Sequence, residues 1–263
     1  METTPSKEAV LEMINVSIAD SSRSEAPMIT NVHWQVNRGD FWIVAGLQGS
    51  GKSTLLETAA GLHPYQEGDL RLFGMRVTGG DGAEFSATRR RVGLVFEGGG
   101  RLFQRLTVAE NIALPLRYHR NCELEDCAES VLQLITGLGL EKITDVSATR
   151  LGRGWSQRIA LARALALKPE LLLLDNPLAG ADSVHLRWWK SILPALLSGN
   201  AIAGLPPIAL VIAADTFQPW TDLGHQFAIS HEGRWSVLGD RSALLASTSP
   251  SVLQLFGDNE LQS

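Results

Sequence analysis

The sequence has 263 residues, of which 44% are hydrophobic and 19% are charged, a composition typical of a folded globular protein and unlike disordered or fibrous chains. Its 23 basic and 28 acidic side chains give a net charge of −5, so no overall positive field attracts nucleic acid, and we expect no nucleic-acid partner. Two cysteines are too few for a disulfide framework, which favours a reducing, cytoplasmic setting.

Two segments bear on membrane insertion, and neither predicts it. Residues 1–7 are polar and lack the apolar region of a signal peptide. The longest apolar stretch, residues 201–214, contains two prolines and is shorter than the roughly 18 residues that would suggest a spanning helix. We therefore expect any membrane contact to be peripheral.

Short apolar runs alternate with helical patterns along the chain, which predicts the α/β class. Three runs in the first third interleave polar and apolar residues, as in an antiparallel β-element; they are 11–18, 31–36 and 70–73. Three other runs are continuously apolar, as in central parallel strands covered on both faces; they are 41–45, 171–174 and 208–213.

The pattern becomes helical between residues 106 and 139. Apolar residues recur there at spacings of four, three and four, within a helix predicted at 123–138; they are Cys127, Val131, Leu134 and Leu138. This predicts an inserted helical subdomain, about 98–165, within a domain that spans 8–240.

The remaining elements follow from capping and turn signals. Helices are predicted at 154–165 and 182–197, and a hairpin at 226–238 that turns on Glu232 and Gly233. The tail, 241–263, has a short apolar face, and we expect this face to pack on its own domain or to form a dimer contact with a neighbouring chain.

The strand at 41–45 runs directly into a match to the phosphate-binding pattern G-x-x-x-x-G-K-[ST]. Glycines let backbone N–H groups point at the phosphates, Lys52 would place its charge on them, and Ser53 would offer a hydroxyl to Mg²⁺. The alternative is a glycine-rich turn with an incidental lysine, which the strand before it and the helix after it disfavour. The predicted nucleotide-binding residues are Gly46, Leu47, Gln48, Gly49, Ser50, Gly51, Lys52, Ser53 and Thr54.

A carboxylate, Asp175, ends the apolar strand at 171–174. Alone, such an aspartate is usually a cap or turn residue. With a phosphate loop in the same chain, it is placed to hold magnesium, so the two elements together predict a site for Mg²⁺ and a nucleotide.

Residues 151–165, LGRGWSQRIALARAL, lie shortly before that strand. They resemble the signature segment of ATP-binding-cassette (ABC) ATPases. The order of elements is also similar over residues 11–238: phosphate loop, a strand at 92–96, the helical insert, the signature, Asp175 and a final Asp215. The resemblance implies a P-loop NTPase with an ABC-type nucleotide-binding domain, an antiparallel β-subdomain and a helical subdomain, which binds ATP and Mg²⁺. A small-molecule P-loop kinase would not be expected to carry this signature.

Residues 96–103 and 106–116 look like the ATPases of Mla/Mce-type lipid transporters. This narrower resemblance implies a transport subunit, peripheral at the cytoplasmic face of a bacterial inner membrane. Its implied partners are an integral membrane permease and a second ABC ATPase chain, identical or different, and its implied cargo is lipid.

Several positions depart from the family pattern. Asn176 stands where the family has its catalytic Glu, and an amide cannot take a proton from the attacking water. Ala214 stands where the family has a His near the γ-phosphate. Because loss of a general base costs about 10²–10⁴-fold in rate, we expect weak hydrolysis.

Two further departures concern ligand binding. Glu97 stands where the family's Gln senses magnesium and the attacking water, so it either binds Mg²⁺ or repels ATP. Residues 16–20 contain no aromatic side chain to stack on adenine, which is expected to reduce affinity for the base.

The signature itself is altered, with Gly152, Arg153 and Gly154 in place of Ser-Gly-Gly. In the family this segment binds, in trans, the nucleotide held by a second chain. Arg153 then has two interpretations. It acts like an arginine finger on the partner's γ-phosphate, or it is a surface arginine that contributes nothing or blocks closure.

Three functional hypotheses follow. The first is an ABC transporter subunit that couples nucleotide-driven dimerisation to a permease, with weak hydrolysis. The second is a pseudo-ATPase that pairs with a competent ABC ATPase as a regulatory subunit. The third, an ABC protein without a permease, is expected to carry two cassettes in one chain, and this sequence has one.

Overall fold

The computed structural model describes residues 8–20, 23–78, 83–99, 102–202 and 204–256. The predictions for residues 1–7 and for the last seven residues of the tail lie outside this part. The chain divides into two compact units, one formed by Met1–Arg89 with Asp215–Ser263 and the other by Arg90–Ala214.

The described residues form ten strands and eight α-helices. The strands are β1 (Ala9–Asp20), β2 (Arg23–Asn37), β3 (Phe41–Ala45), β4 (Glu67–Leu72), β5 (Met75–Arg76), β6 (Val92–Val95), β7 (Leu171–Asp175), β8 (Ala209–Ala214), β9 (Gln226–His231) and β10 (Arg234–Gly239). The helices are α1 (Lys52–Ala59), α2 (Ala83–Arg89), α3 (Val108–Arg120), α4 (Ala128–Gly137), α5 (Arg153–Leu165), α6 (Ser183–Leu197), α7 (Arg241–Leu245) and α8 (Pro250–Gln254).

The strands of the first unit lie in the order β5-β4-β1-β2-β10-β9-β3. Strand β1 pairs antiparallel with both β2 and β4, which confirms the predicted antiparallel element. The hairpin of β9 and β10 is also confirmed: Glu232 and Gly233 have φ of 50° and 74°, the left-handed pair that a tight two-residue turn needs. Strand β3 runs parallel to β9 and is buried along its whole length.

The second unit carries three parallel strands in the order β8-β7-β6. Every residue of β7 and β8 is buried, as their continuous apolar sequences predict. The predicted helical subdomain falls within this unit.

The helix predicted at 123–138 begins later than expected. The pattern was correct, since Cys127, Val131, Leu134 and Leu138 are all buried. However, the Glu123 N–H donates to the Asp126 carboxylate at 3.0 Å, and a 3₁₀ turn (Glu125–Cys127) precedes α4. The first turn of the predicted helix is thus 3₁₀, and Cys127, with φ of −111° and ψ of 6°, separates it from the regular α-helix.

The helices predicted at 154–165 and 182–197 are confirmed within one residue as α5 and α6. The tail forms α7 and α8, and Val252 and Leu255 are buried. The Phe217 N–H donates to the Leu255 carbonyl at 2.9 Å, so the described part of the tail packs on its own unit. Among the helices of the described residues, none is long and apolar enough to cross a membrane.

Candidate functional site

The phosphate loop links β3 to α1 and is tightly fitted to the strand beside it. A β-carbon at Gly46 would overlap the Ser230 carbonyl oxygen and would lie 2.6 Å from Ser50 Oγ, so only glycine fits there. Ser230 Oγ donates to the Ser50 carbonyl at 2.6 Å and anchors the middle of the loop. Gly51, where the loop ends and α1 begins, has φ of 88°, a left-handed conformation that favours glycine.

Helix α1 begins without a side-chain cap. Gly51 is its N-cap residue and makes no side-chain hydrogen bond. Ser53 is exposed and Thr54 is half-buried on the first turn. An uncapped N-terminus leaves backbone N–H groups and the positive end of the helix dipole for an anionic ligand.

Lys52 is the most buried polar group of the loop, with 6% of its surface exposed. Its Nζ donates to the Gly46 carbonyl and, at 3.0 Å, to the Leu47 carbonyl. It also lies 3.3 Å from Asp215 Oδ1. The loop thus wraps around its own lysine and holds the ammonium beside a carboxylate.

In the second unit, Asp175 is the last residue of β7 and is 6% exposed, and Asn176 follows it. Asn176 has φ of 42°, and its N–H donates to the Ala213 carbonyl at 2.9 Å. Asparagine tolerates this left-handed conformation better than most residues, so the backbone at position 176 favours asparagine independently of catalysis.

The structure brings Asn176 close to Glu97: Asn176 Nδ2 lies 3.5 Å from Glu97 Oε1, at the long limit of a hydrogen bond. Glu97 is exposed, whereas Ala214, at the end of β8, is 3% exposed. Of the altered positions 97, 176 and 214, positions 97 and 176 are therefore neighbours within this unit.

Gln157 positions the segment that contains Glu97, and the sequence argument missed this role. With its amide oriented so that the oxygen faces the loop, Gln157 accepts hydrogen bonds from the N–H groups of Gly98 at 2.9 Å and Gly99 at 3.1 Å. A β-carbon at Gly99 would lie 2.6 Å from the Ser156 backbone, so the segment rests directly on α5. The sequence offers only a weak signal for this role, because Gly98 and Gly99 lie far before Gln157 in the chain.

The altered signature forms the start of α5. Gly152 is the N-cap, and Arg153 and Gly154 are the first helical residues. The exposed Arg153 lies against the turn after β7, since a β-carbon at Gly180 would be 3.0 Å from Arg153 Nη1. Asp182 caps α6 by accepting from the N–H groups of Val184 and His185, each at 2.9 Å. These hydrogen bonds, first the one from the His185 N–H, lower the pKa of Asp182.

Arg158 was not singled out from the sequence, and it is a buried cation held by aromatic rings. Its guanidinium carbon lies 4.8 Å from the Trp155 ring and 4.3 Å from the Trp188 ring. It is 7% exposed, and within the described part of the chain its Nε has no hydrogen-bond partner. Burial lowers the pKa of Arg158, although an arginine still stays protonated.

A buried strand, a glycine turn wrapped around a lysine and an uncapped helix define a P-loop nucleotide-binding protein. Comparison with known proteins narrows this class. Residues 29–179 match the family described as ABC transporter. The methionine import ATP-binding protein MetN of Wolinella succinogenes is 30% identical over 234 residues, which cover 89% of this chain and 75% of that protein.

Two other similarities extend over most of the chain. The intermembrane phospholipid transport system ATP-binding protein MlaF of Haemophilus influenzae is 29% identical over 242 residues, 92% of this chain and 86% of MlaF. A dimeric ATP-binding cassette, MJ0796, in a post-hydrolysis state bound to ADP and Pi, has a TM-score of 0.74 and 26% identity over 86% of this chain and 96% of that one. The chain therefore belongs to the ABC transporter family and has the ABC-type P-loop fold. It is an ATP-binding subunit of a transport system.

Proposed function

We propose that this chain binds Mg-ATP, dimerises around it, and passes the energy of closure to an integral membrane permease at the cytoplasmic face of a bacterial inner membrane. It hydrolyses ATP slowly. The observation that carries the proposal is the phosphate loop, in which residues 46–54 enclose the buried Lys52 and lead into an uncapped helix.

The proposed magnesium ligands are Ser53, Asp175 and Glu97. A hydroxyl and carboxylates are the hard oxygen donors that Mg²⁺ takes, so these residues fit the ion chemically. When bound, magnesium would neutralise part of the phosphate charge. Glu97 differs from the other two because it replaces a neutral family residue and adds a negative charge beside the phosphates, so it either binds Mg²⁺ or repels ATP.

Slow hydrolysis follows from the side chains at positions 176 and 214. The Asn176 amide cannot serve as a base, and Ala214 presents a buried methyl group. The expected loss is about 10²–10⁴-fold in rate. The same positions support the alternative proposal, a pseudo-ATPase that binds ATP and regulates a competent ABC ATPase partner.

The role of the signature in trans is also a proposal. Gly152, Arg153 and Gly154 would meet the nucleotide of a second chain. Arg153 either stabilises the γ-phosphate of that nucleotide, or it is a surface arginine that contributes nothing or obstructs closure. If Arg153→Gly raises turnover in the assembled complex, the finger interpretation is wrong. If it lowers turnover, the obstruction interpretation is wrong.

A lipid cargo is proposed from the similarity to MlaF, which this chain matches over 86% of MlaF's length. Other relatives serve methionine or spermidine and putrescine import, so the cargo class needs its own test. The assembled complex should respond to phospholipid vesicles with increased ATP turnover and should not respond to free methionine or polyamine.

The central experiment is a single-turnover assay. Purified chain in excess over labelled Mg-ATP is sampled over time for bound ATP and bound ADP, with Lys52→Ala as the binding variant and the exposed Lys142→Ala as its matched control. ATP that binds and stays intact for hours supports slow hydrolysis. The next measurement would then be made with a competent ABC ATPase partner chain. Rapid ADP formation that Lys52→Ala abolishes contradicts slow hydrolysis. No binding by the wild-type chain contradicts the nucleotide site itself.

A further inference from the structure

The ammonium group of Lys52 has three oxygen partners among the described residues of the first unit. Its Nζ donates hydrogen bonds to the carbonyls of Gly46 and Leu47 and forms an ion pair with Asp215, 3.3 Å from Oδ1. The lysine side chain is 7% exposed, whereas the Asp215 side chain is 54% exposed. A phosphate that approaches this lysine must therefore compete with oxygens already in place, one of them a carboxylate oxygen.

The two carbonyls belong to the loop backbone, so they cannot leave Lys52 unless the loop changes conformation. The Asp215 carboxylate is different, because among the described residues it is the charged partner of Lys52 and its side chain is half exposed to solvent. Asp215 is consequently the group that a phosphate displaces at the lowest cost.

We infer that Asp215 sets the nucleotide affinity of the phosphate loop by competing with nucleotide phosphate for Lys52. This inference rests on the proposed function, since it requires the loop to bind a nucleotide. Two effects act in the same direction: the ion pair at 3.3 Å must be broken, and the released carboxylate remains beside a phosphate of like charge. Asp215 is thus an affinity-determining residue that acts through Lys52.

The effect depends on the number of phosphates. Asp215 competes only with ligands that bring phosphate oxygens to Lys52. Its effect on binding affinity is therefore largest for ATP, smaller for ADP and absent for adenosine. A purely structural role for Asp215 would change the binding of all three ligands together. The comparison therefore separates competition from a general distortion of the site.

Isothermal titration calorimetry of the full chain with ATP, ADP and adenosine, with and without Mg²⁺, tests the inference. The Asp215→Asn variant lacks the exposed charge that pairs with the buried Lys52. It is expected to bind ATP about three- to tenfold more tightly than wild type. Asp222→Asn is the matched control, because Asp222 is exposed in the same unit and pairs with Arg241 instead. Its ATP affinity is expected to stay at the wild-type value.

Asp215→Ser serves as a second variant, so the test does not depend on how one replacement folds. If wild type binds ATP and both Asp215 variants bind it no more tightly, the inference is wrong while the proposed function stands. Weaker binding by the variants only when Mg²⁺ is present would make Asp215 a magnesium ligand and would also overturn it. If wild type and both variants bind no nucleotide, the proposed function and the inference fail together.

Discussion

The imidazole ring of His185 lies directly against the α-carbon of Gly154. A β-carbon at position 154 would overlap the ring at Nε2, Cδ2 and Cε1. The ring is held in place because its Nδ1 lies 2.9 Å from Asp182 Oδ1 and its edge packs on Trp155, with ring centroids 5.9 Å apart. This contact therefore requires glycine at position 154. Through it, the altered signature packs against the first turn of α6.

We expect Gly154→Ser to destabilise the chain by about 1–3 kcal/mol, since a side chain must push a pinned ring out of a filled space. Gly152→Ser is the matched control, because a β-carbon at Gly152 meets nothing within 4 Å and serine is a good N-cap. Urea denaturation of both variants measures the difference. In a His185→Ala background the cost of Gly154→Ser should shrink, and an unchanged cost would contradict the steric explanation.

The stacking of Arg158 predicts a difference between arginine and lysine. Arg158→Lys keeps the charge and loses the planar group that lies over Trp155 and Trp188. We expect a loss of about 1–2 kcal/mol, the size of a desolvated cation–π contact, measured as a change in the urea midpoint. Arg187→Lys, at an exposed site on α6, should stay within about 0.5 kcal/mol of wild type. Equal effects of the two substitutions would mean that the rings do not select arginine.

The sequence predicted most of the fold because its strands and turns carry local signals. Strand β3 and the turn at Glu232 and Gly233 lie where continuous apolar residues and a left-handed turn pair indicate. The start of α4 was placed too early because the apolar pattern continues into the 3₁₀ turn Glu125–Cys127, where Cys127 is buried although the backbone is not yet α-helical. Apolar periodicity does not distinguish such a turn from the first turn of an α-helix.

The site was predictable only in part, for a different reason. The phosphate loop is contiguous in sequence, so its pattern identifies Lys52 directly. The partners that set the environment of each group are distant in the chain: Asp215 from Lys52, and Gln157 from the turn at Gly98. Contacts of this kind depend on tertiary folding and leave no spacing pattern in the sequence.

The capping box of α3 predicts a pH dependence of stability. The Glu110 carboxylate accepts from the Thr107 N–H at 2.7 Å, which with the Thr107 hydroxyl lowers the pKa of Glu110 below its ordinary value of 4.5. A lowered folded-state pKa stabilises the chain above the unfolded-state pKa, and this stabilisation is lost as the pH falls through the folded value.

The wild-type advantage over Glu110→Gln should therefore be present at about pH 7 and should shrink below about pH 4.5. Urea denaturation at a series of pH values measures it, and Glu129→Gln, exposed on the first turn of α4, controls for the loss of one charge. An advantage that grows on acidification would have the wrong sign and would rule out this contribution.

Restoring a carboxylate at position 176 tests whether the missing base limits hydrolysis. Asn176→Glu should raise the rate of phosphate release by about 10²-fold or more, against a strain of about 1–2 kcal/mol because position 176 has φ of 42°. Glu97, 3.5 Å from Asn176, would place a second negative charge beside the new carboxylate, so Glu97→Gln should increase the gain further. Asn176→Gln has the same length and no base; if it matches Asn176→Glu in rate, a missing general base is not what slows this chain.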